Sequence, residues 1–258
     1  MAGVPPRSRP LPATPRIPGW WPYAALGALL TALVCILAGI ALWQERSRYR
    51  ERALIAAENV AQLLEAHVAD VLAKADVALQ AVALEYDEHR TERGIAATEL
   101  RHMLPRAKIL VREVSTLWLS DSLGNLIAGS EPVGGPPISI ADRDYFVRLR
   151  DTQDAGLAVS GPLLGRVSGN WNLALARRLN NEDGSFAGLV VAVIGISNFE
   201  PVFSRVRLGE HGAATIRNTD LALIYRQSAV PTPSSAIGSR EVSSALQDAV
   251  RAHPNAGR

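Results

Sequence analysis

Arg143, Tyr145 and Phe146 fall within one helical turn of each other in the run Asp142-Arg143-Asp144-Tyr145-Phe146. A guanidinium presents a planar fork of donors that takes a carboxylate or a similar anion bidentately. Rings beside it supply an apolar wall that keeps water from competing for the same bond. The combination suits the capture of a small anion. Arg166 and Trp171 bring a second guanidinium and a second large ring further along the chain. Each of these residues also has a competing structural use. Arg143 can pair with Asp142, Asp144 or a loop carbonyl, and Tyr145 and Phe146 can fill a core. Arg166 can stand solvated in a loop, and Trp171 can cap a sheet.

Other chemistries find no support. The histidines at 67, 89, 102, 211 and 253 show no i,i+4 ligand pair and no His-Glu-x-x-His run. The single cysteine, Cys35, excludes an intramolecular disulfide and a thiolate zinc cluster. Gly165-Arg166-Val167-Ser168-Gly169 places its serine one position late for a nucleophile elbow. There is no phosphate-binding loop and no dinucleotide fingerprint. The expectation is a chain with no catalytic residues, no cofactor and no metal. A net charge of +2 argues against a polybasic nucleic-acid partner, and 48% hydrophobic residues argue against wholesale disorder.

The elements that must position these residues begin with an uncharged stretch, residues 17–44. As a helix, residues 22–43 would span roughly 33 Å, about one hydrocarbon core. Trp20, Trp21 and Tyr23 stand at one end and Trp43 at the other, where interfacial aromatics belong. The run is too long, and its end too bulky, for a cleavable signal peptide. Residues 1–21, rich in proline and arginine, read as a disordered tail. Arginines flank both ends of the apolar run, so the positive-inside rule does not orient it.

Residues 44–89 contain neither glycine nor proline. Apolar residues recur at Leu54, Ala57, Ala61, Leu64, Val68, Val71, Ala75, Ala78 and Val82, a heptad seam. Two uses fit it, and both can hold on different faces: a helix lying on its own domain, and a parallel homodimer through the helix from Leu54 to Val82. A second helix is expected over 96–112, with Pro105 as a kink. Hairpin-forming strands follow: 115–119 with 126–128 across an Asp/Gly turn, 157–160, 172–179 with 188–196, and 213–217 with 221–225. Short helices are expected at 142–150 and 197–206, and an amphipathic one at 241–252. The fold class is α+β: an antiparallel sheet with flanking helices behind one transmembrane helix.

The order of the motifs resembles the double-Cache extracytoplasmic sensors of bacterial diguanylate cyclases and histidine kinases. The residues that carry it are Ser120-Asp121-x-x-Gly124-x-Leu126-Ile127-Ala128 and Asp142-Arg143-Asp144-Tyr145-Phe146. Behind them come Gly161-Pro162-x-x-Gly165-Arg166-x-Ser168-Gly169, Ala176-Arg177-Arg178, Asp183-Gly184-x-Phe186-x-Gly188, Leu208-Gly209-x-x-Gly212 and Asp220-x-x-Leu223-Ile224-x-Arg226. The resemblance implies a PAS-like sheet with the long helix packed along it. It also implies a tail inside the cell and a sensor in the periplasm, on a single-pass protein of the bacterial inner membrane. It maps the family's Arg-x-aromatic-aromatic ligand pattern onto Arg143, Tyr145 and Phe146. Amino-acid-binding relatives add a later aspartate for the ammonium; residues 157–178 offer none, with Arg166 and Trp171 there instead. The expected ligand is therefore a small carboxylate or other anion. The implied domains are a cytoplasmic tail (1–21), a span (22–43), the long and second helices (44–112), the sensor lobe (113–227), and a linker with the start of a second lobe that is otherwise missing, as if the chain were truncated there (228–258). No output-domain motif is present, so catalysis is expected only in an intact parent. An anchored protein-interaction module without a small ligand is the alternative.

Overall fold

The computed structural model describes residues 21–89, 97–132, 136–210, 212–230 and 236–252. The expected tail up to residue 20, the stretch 90–96 between the two expected helices, the linker residues 231–235 and the last residues 253–258 lie outside the described residues. The chain divides into two units, residues 1–57 and 58–258. Helix α1 (Trp21–His89) begins in the first, where side chains from Leu26 to Arg46 are exposed. An 18-residue window of α1 has a mean hydropathy of 2.4 with none of it buried. Its length and composition suffice to cross a membrane.

The second unit is built on an antiparallel sheet. Its strands are β1 (Thr116–Ser120), β2 (Leu126–Gly129), β3 (Ala158–Val159), β4 (Leu163–Leu164), β5 (Trp171–Asn180) and β6 (Phe186–Gly195). The order is β2-β1-β6-β5-β3, with β4 also on β5. Side chains alternate between faces along each strand. Leu117, Leu119, Leu173, Leu175, Val190, Ala192 and Ile194 turn to one face. There they meet Leu64, Val71, Ala75, Ala78, Leu79 and Val82 of α1, and Met103 and Leu104 of α2 (Ala97–Leu110), which runs through Pro105 without a break. The other face carries Trp118, Ala174, Ala176, Leu189 and Val191, and α3 (Asp144–Asp151) packs on part of it through Phe146 and Leu149.

This packing shows the first of the two uses of the heptad seam. Leu64, Val71, Ala75, Ala78 and Val82 are buried against the chain's own sheet, and Val68 is partly so. Leu54, Ala57 and Ala61 remain exposed. A 3.5-residue repeat and a 3.6-residue amphipathic face are nearly indistinguishable over so few turns.

Two local expectations also change. Residues 197–206 do not form one helix. A 3₁₀ turn (Ile196–Phe199) is followed by the single turn α4 (Glu200–Phe203), with Pro201 at its start. That corner leads the chain off the sheet. The last hairpin, β7 (Ala213–Arg217) and β8 (Leu223–Ser228), accordingly forms a separate two-stranded sheet, held to the corner by the edge-on pair Phe203–Tyr225 at 4.9 Å. Helix α5 (Ser244–Ala252) buries no residue.

Leu79 is fully buried between α1 and the sheet, whereas Val77 on the same helix is 65% exposed. Leu79→Ala should therefore destabilise the domain by about 2–5 kcal/mol. Val77→Ala should stay within about 0.5 kcal/mol. Urea unfolding of the full chain in detergent, followed by circular dichroism, reads both. Equal losses for the two variants would refute this placement of α1.

Candidate ligand-binding site

On the sheet face away from α1, the strands present small or polar side chains where α3 no longer covers them: Asn172 and Ala174 from β5, Val193 and Gly195 from β6, and Thr116 from β1. A cavity of about 410 Å³ fills that space. Trp118 forms part of its wall, and its ring lies so close to Gly129 that a Cβ there would overlap it. Ile140, Arg143 and Tyr145, from the start of α3 and the loop before it, line the cavity, with Leu163, Arg166 and Trp171 from the β4–β5 hairpin.

Four of the five residues singled out from sequence thus come together on one cavity. Tyr145 is only 5% exposed, and its hydroxyl has no hydrogen-bond partner among the described residues. Burial pushes its pKa up to about 12, against the opposing pull of Arg143, so it stays a neutral O–H donor. Arg143 donates through Nη2 to the carbonyl of Leu164 at 3.0 Å. That bond fixes its fork while leaving further N–H groups for a ligand. Trp171, 40% exposed, stands at the lip.

Arg166 lines the cavity with its fork already engaged. Nη1 and Nη2 donate to the two carboxylate oxygens of Asp142 at 2.8 and 2.6 Å, and Nη1 also meets the carbonyl of Ser139. It braces the loop before α3 against the β4–β5 hairpin rather than standing solvated. Phe146 does not line the cavity. It is 1% exposed and packs edge-on against Phe186 at 5.5 Å, on the core side of α3.

The sequence reading missed Asn172, which is 4% exposed. Its Nδ2 donates to the carbonyl of Asn170 at 2.9 Å and to Ser168 Oγ at 3.2 Å, shaping the hairpin loop. A Cβ at Gly165 would sit 2.5 Å from that Nδ2, so a larger residue there would displace the Asn172 amide. A polar residue at the start of an apolar strand was the available signal. Ser115 and Ser197 add hydroxyls at the strand ends. Glu131 is the single acid among the described lining residues, and Lys108 approaches it at 3.6 Å. No described group of histidine, cysteine and acid side chains could hold a metal ion.

The Arg166 hydrogen bonds hold the Asp142 carboxyl down to about 2, against a smaller opposing effect of desolvation. A folded value below the ordinary one contributes stability above the free aspartate pKa. That contribution is lost as pH falls through about 2. Asp142 is 65% exposed, so solvent screens the effect on overall stability. Carboxyl ¹³C NMR titration is expected to place the Asp142 midpoint near 2, and Arg166→Gln should return it to the ordinary aspartate range. An unmoved midpoint would mean the brace is absent in solution.

A comparison with curated protein sequences yields no match. Solved structures give several. The extracellular domain of the histidine kinase rpHK1S-Z16 aligns with a TM-score of 0.59 at 27% identity, over 70% of each chain. The ligand-binding domain of the Campylobacter jejuni chemoreceptor Tlp3, solved with 4-methylisoleucine, aligns at 0.53 and 12% identity over 75% of each chain. The ligand-binding domain of the Pseudomonas aeruginosa PAO1 chemoreceptor PctC, solved with GABA, aligns at 0.51 and 12% over 76% of this chain and 79% of that one. The Cache domain model matches residues 45–248, which include the sheet, the cavity and both helices that cover them. This chain therefore belongs to the Cache family of sensor domains.

Proposed function

We propose that this Cache chain is a single-pass protein of the bacterial inner membrane whose periplasmic domain binds a small carboxylate, or another small organic anion, for transmembrane signalling. The cavity at Arg143 and Tyr145 carries the reading. A fixed guanidinium and a neutral phenol, both donors, meet in a space with apolar walls and a volume suited to a small organic molecule. Carboxylate oxygens are the acceptors such a pair fits. An α-amino acid would add an ammonium, and Glu131, half-exposed and already near Lys108, is the only described acid there to receive it.

The ligands in the similar structures, 4-methylisoleucine and GABA, both carry a carboxylate. That is the part of them this cavity is equipped to hold. The apolar window in α1 supports the single span. The signal's output, a diguanylate cyclase or histidine kinase activity, would lie outside these residues.

Calorimetric titration of the full chain in detergent micelles, with a panel of mono- and dicarboxylates and of α-amino acids, tests the ligand class. An organic acid should saturate the site. Arg143→Met should weaken it by roughly tenfold or more, and Tyr145→Phe by less. Saturation by amino acids with no response to organic acids would overturn the carboxylate assignment. Protease applied to intact spheroplasts should digest the domain and spare the apolar segment; a domain left whole would put it on the wrong side of the membrane.

A further inference from the structure

A second cavity, of about 560 Å³, lies beside the first, between the end of the sheet and the β7–β8 hairpin. Its character comes from Trp171, Ile196, Tyr225, Val230 and Ile237, and from one cation, Arg226. Asn170, Trp171 and Ser197 line both cavities.

Arg226 is the anomaly. Its Nε–H is buried and donates to nothing. Among the described residues no hydrogen bond or ion pair engages the rest of its guanidinium. A buried donor on a charged group left without an acceptor is destabilising, more so than a neutral one. Its neighbour on the hairpin, Arg217, brings no compensation. Burial and the like charge of Arg226 both push the Arg217 pKa down, and its donors go to the carbonyls of Leu221 and Ser239. The region thus gathers two cations, and no described carboxylate pairs with either.

With Nε sealed away, the terminal Nη groups are what Arg226 has left for a ligand. Arg226 lines a space walled by an indole, a phenol ring and three aliphatic side chains. That is the chemistry of an anion with a flat apolar body: the acid end meets the guanidinium, and the ring lies along Trp171 and Tyr225. We propose that this second cavity is a separate binding site for a small aromatic carboxylate, anchored by Arg226. The inference does not depend on what fills the first cavity.

The test titrates the full chain in detergent micelles with benzoate, alongside inorganic phosphate and benzyl alcohol, for the wild type, Arg226→Met and Arg143→Met. Benzoate should saturate a site that Arg226→Met weakens at least roughly tenfold and that Arg143→Met leaves in place. Phosphate, which lacks the ring, and benzyl alcohol, which lacks the charge, should not saturate it. Identical benzoate behaviour in the wild type and Arg226→Met, including no saturation in either, overturns the proposal. So does phosphate binding as tightly as benzoate, which would make Arg226 a charge without a pocket. A binding loss confined to Arg143→Met would leave the first cavity's reading standing while this one falls. Thermal unfolding without ligand gives a second readout. Arg226→Met should melt at or above the wild-type temperature because the orphan N–H is gone; a clear drop would mark Arg226 as structural and overturn the assignment.

Discussion

Strands β5 and β6 are covered on both faces, and the two faces are filled unequally. Toward α1 they present Leu173, Leu175, Val190 and Ile194, large enough to close against the helix without a gap. Toward α3 they present Asn172, Ala174, Ala176, Val191 and Val193, and α3 is too short to cover them all. Because side chains alternate, both characters are written into the same strands, one residue out of phase. The well-filled face holds the domain together, and the sparse face leaves room for the first cavity. A leucine at 174 would remove space from the cavity without touching the core beneath it.

The polar groups around that space divide the work. Arg166 and Asp142 neutralise each other across the mouth and tie two loops together. Arg143 is aimed by a single carbonyl, and Tyr145 keeps its proton because burial opposes the phenolate. The consequence is a site with donors inside and its one well-formed ion pair at the rim. Under the proposed function, a charge-assisted bond to an anion would form where water is scarce, which is where such a bond discriminates most between an anion and a neutral molecule of the same shape.

Much of this was legible in the chain because it is local. The Asp/Gly turns, the short apolar run of β1, the continuous apolar run of β6 and the unbroken helix from 44 to 89 each depend on neighbours in sequence. The co-location of Arg143 and Tyr145 was legible for the same reason, since two positions apart on one helical start keeps them close. What escaped depends on partners far away. Phe146 follows Tyr145 directly, yet a helix turns about 100° per residue, and that rotation carries it to Phe186 and the core. Arg166 was ambiguous until Asp142, remote in sequence, was placed opposite it. The two-residue strand β4 is too short to show a period, and its pairing with β5 is fixed by the hairpin it closes. The seam on α1 was correctly found as a stripe, but a stripe does not say whether its partner is a sheet or a second helix.

β5 also ties the cavity to the helix that leads toward the apolar segment. Asn172 and Ala174 face the cavity. A few residues along, Arg177 reaches to the opposite face and grips Asp76 of α1 through Nε and Nη2, at 2.6 and 3.0 Å. Apolar packing holds α1 on the sheet, but the hydrophobic term itself has no preferred direction. A two-point ion pair does have one. The side chains of Asp76 and Arg177 are about three-quarters buried or more, and the Arg177 hydrogen bond holds the Asp76 carboxyl below its ordinary range. Breaking the pair would leave both charges poorly solvated. The Arg177–Asp76 pair therefore gives β5 a directional contact with α1 a few residues along the strand from Asn172.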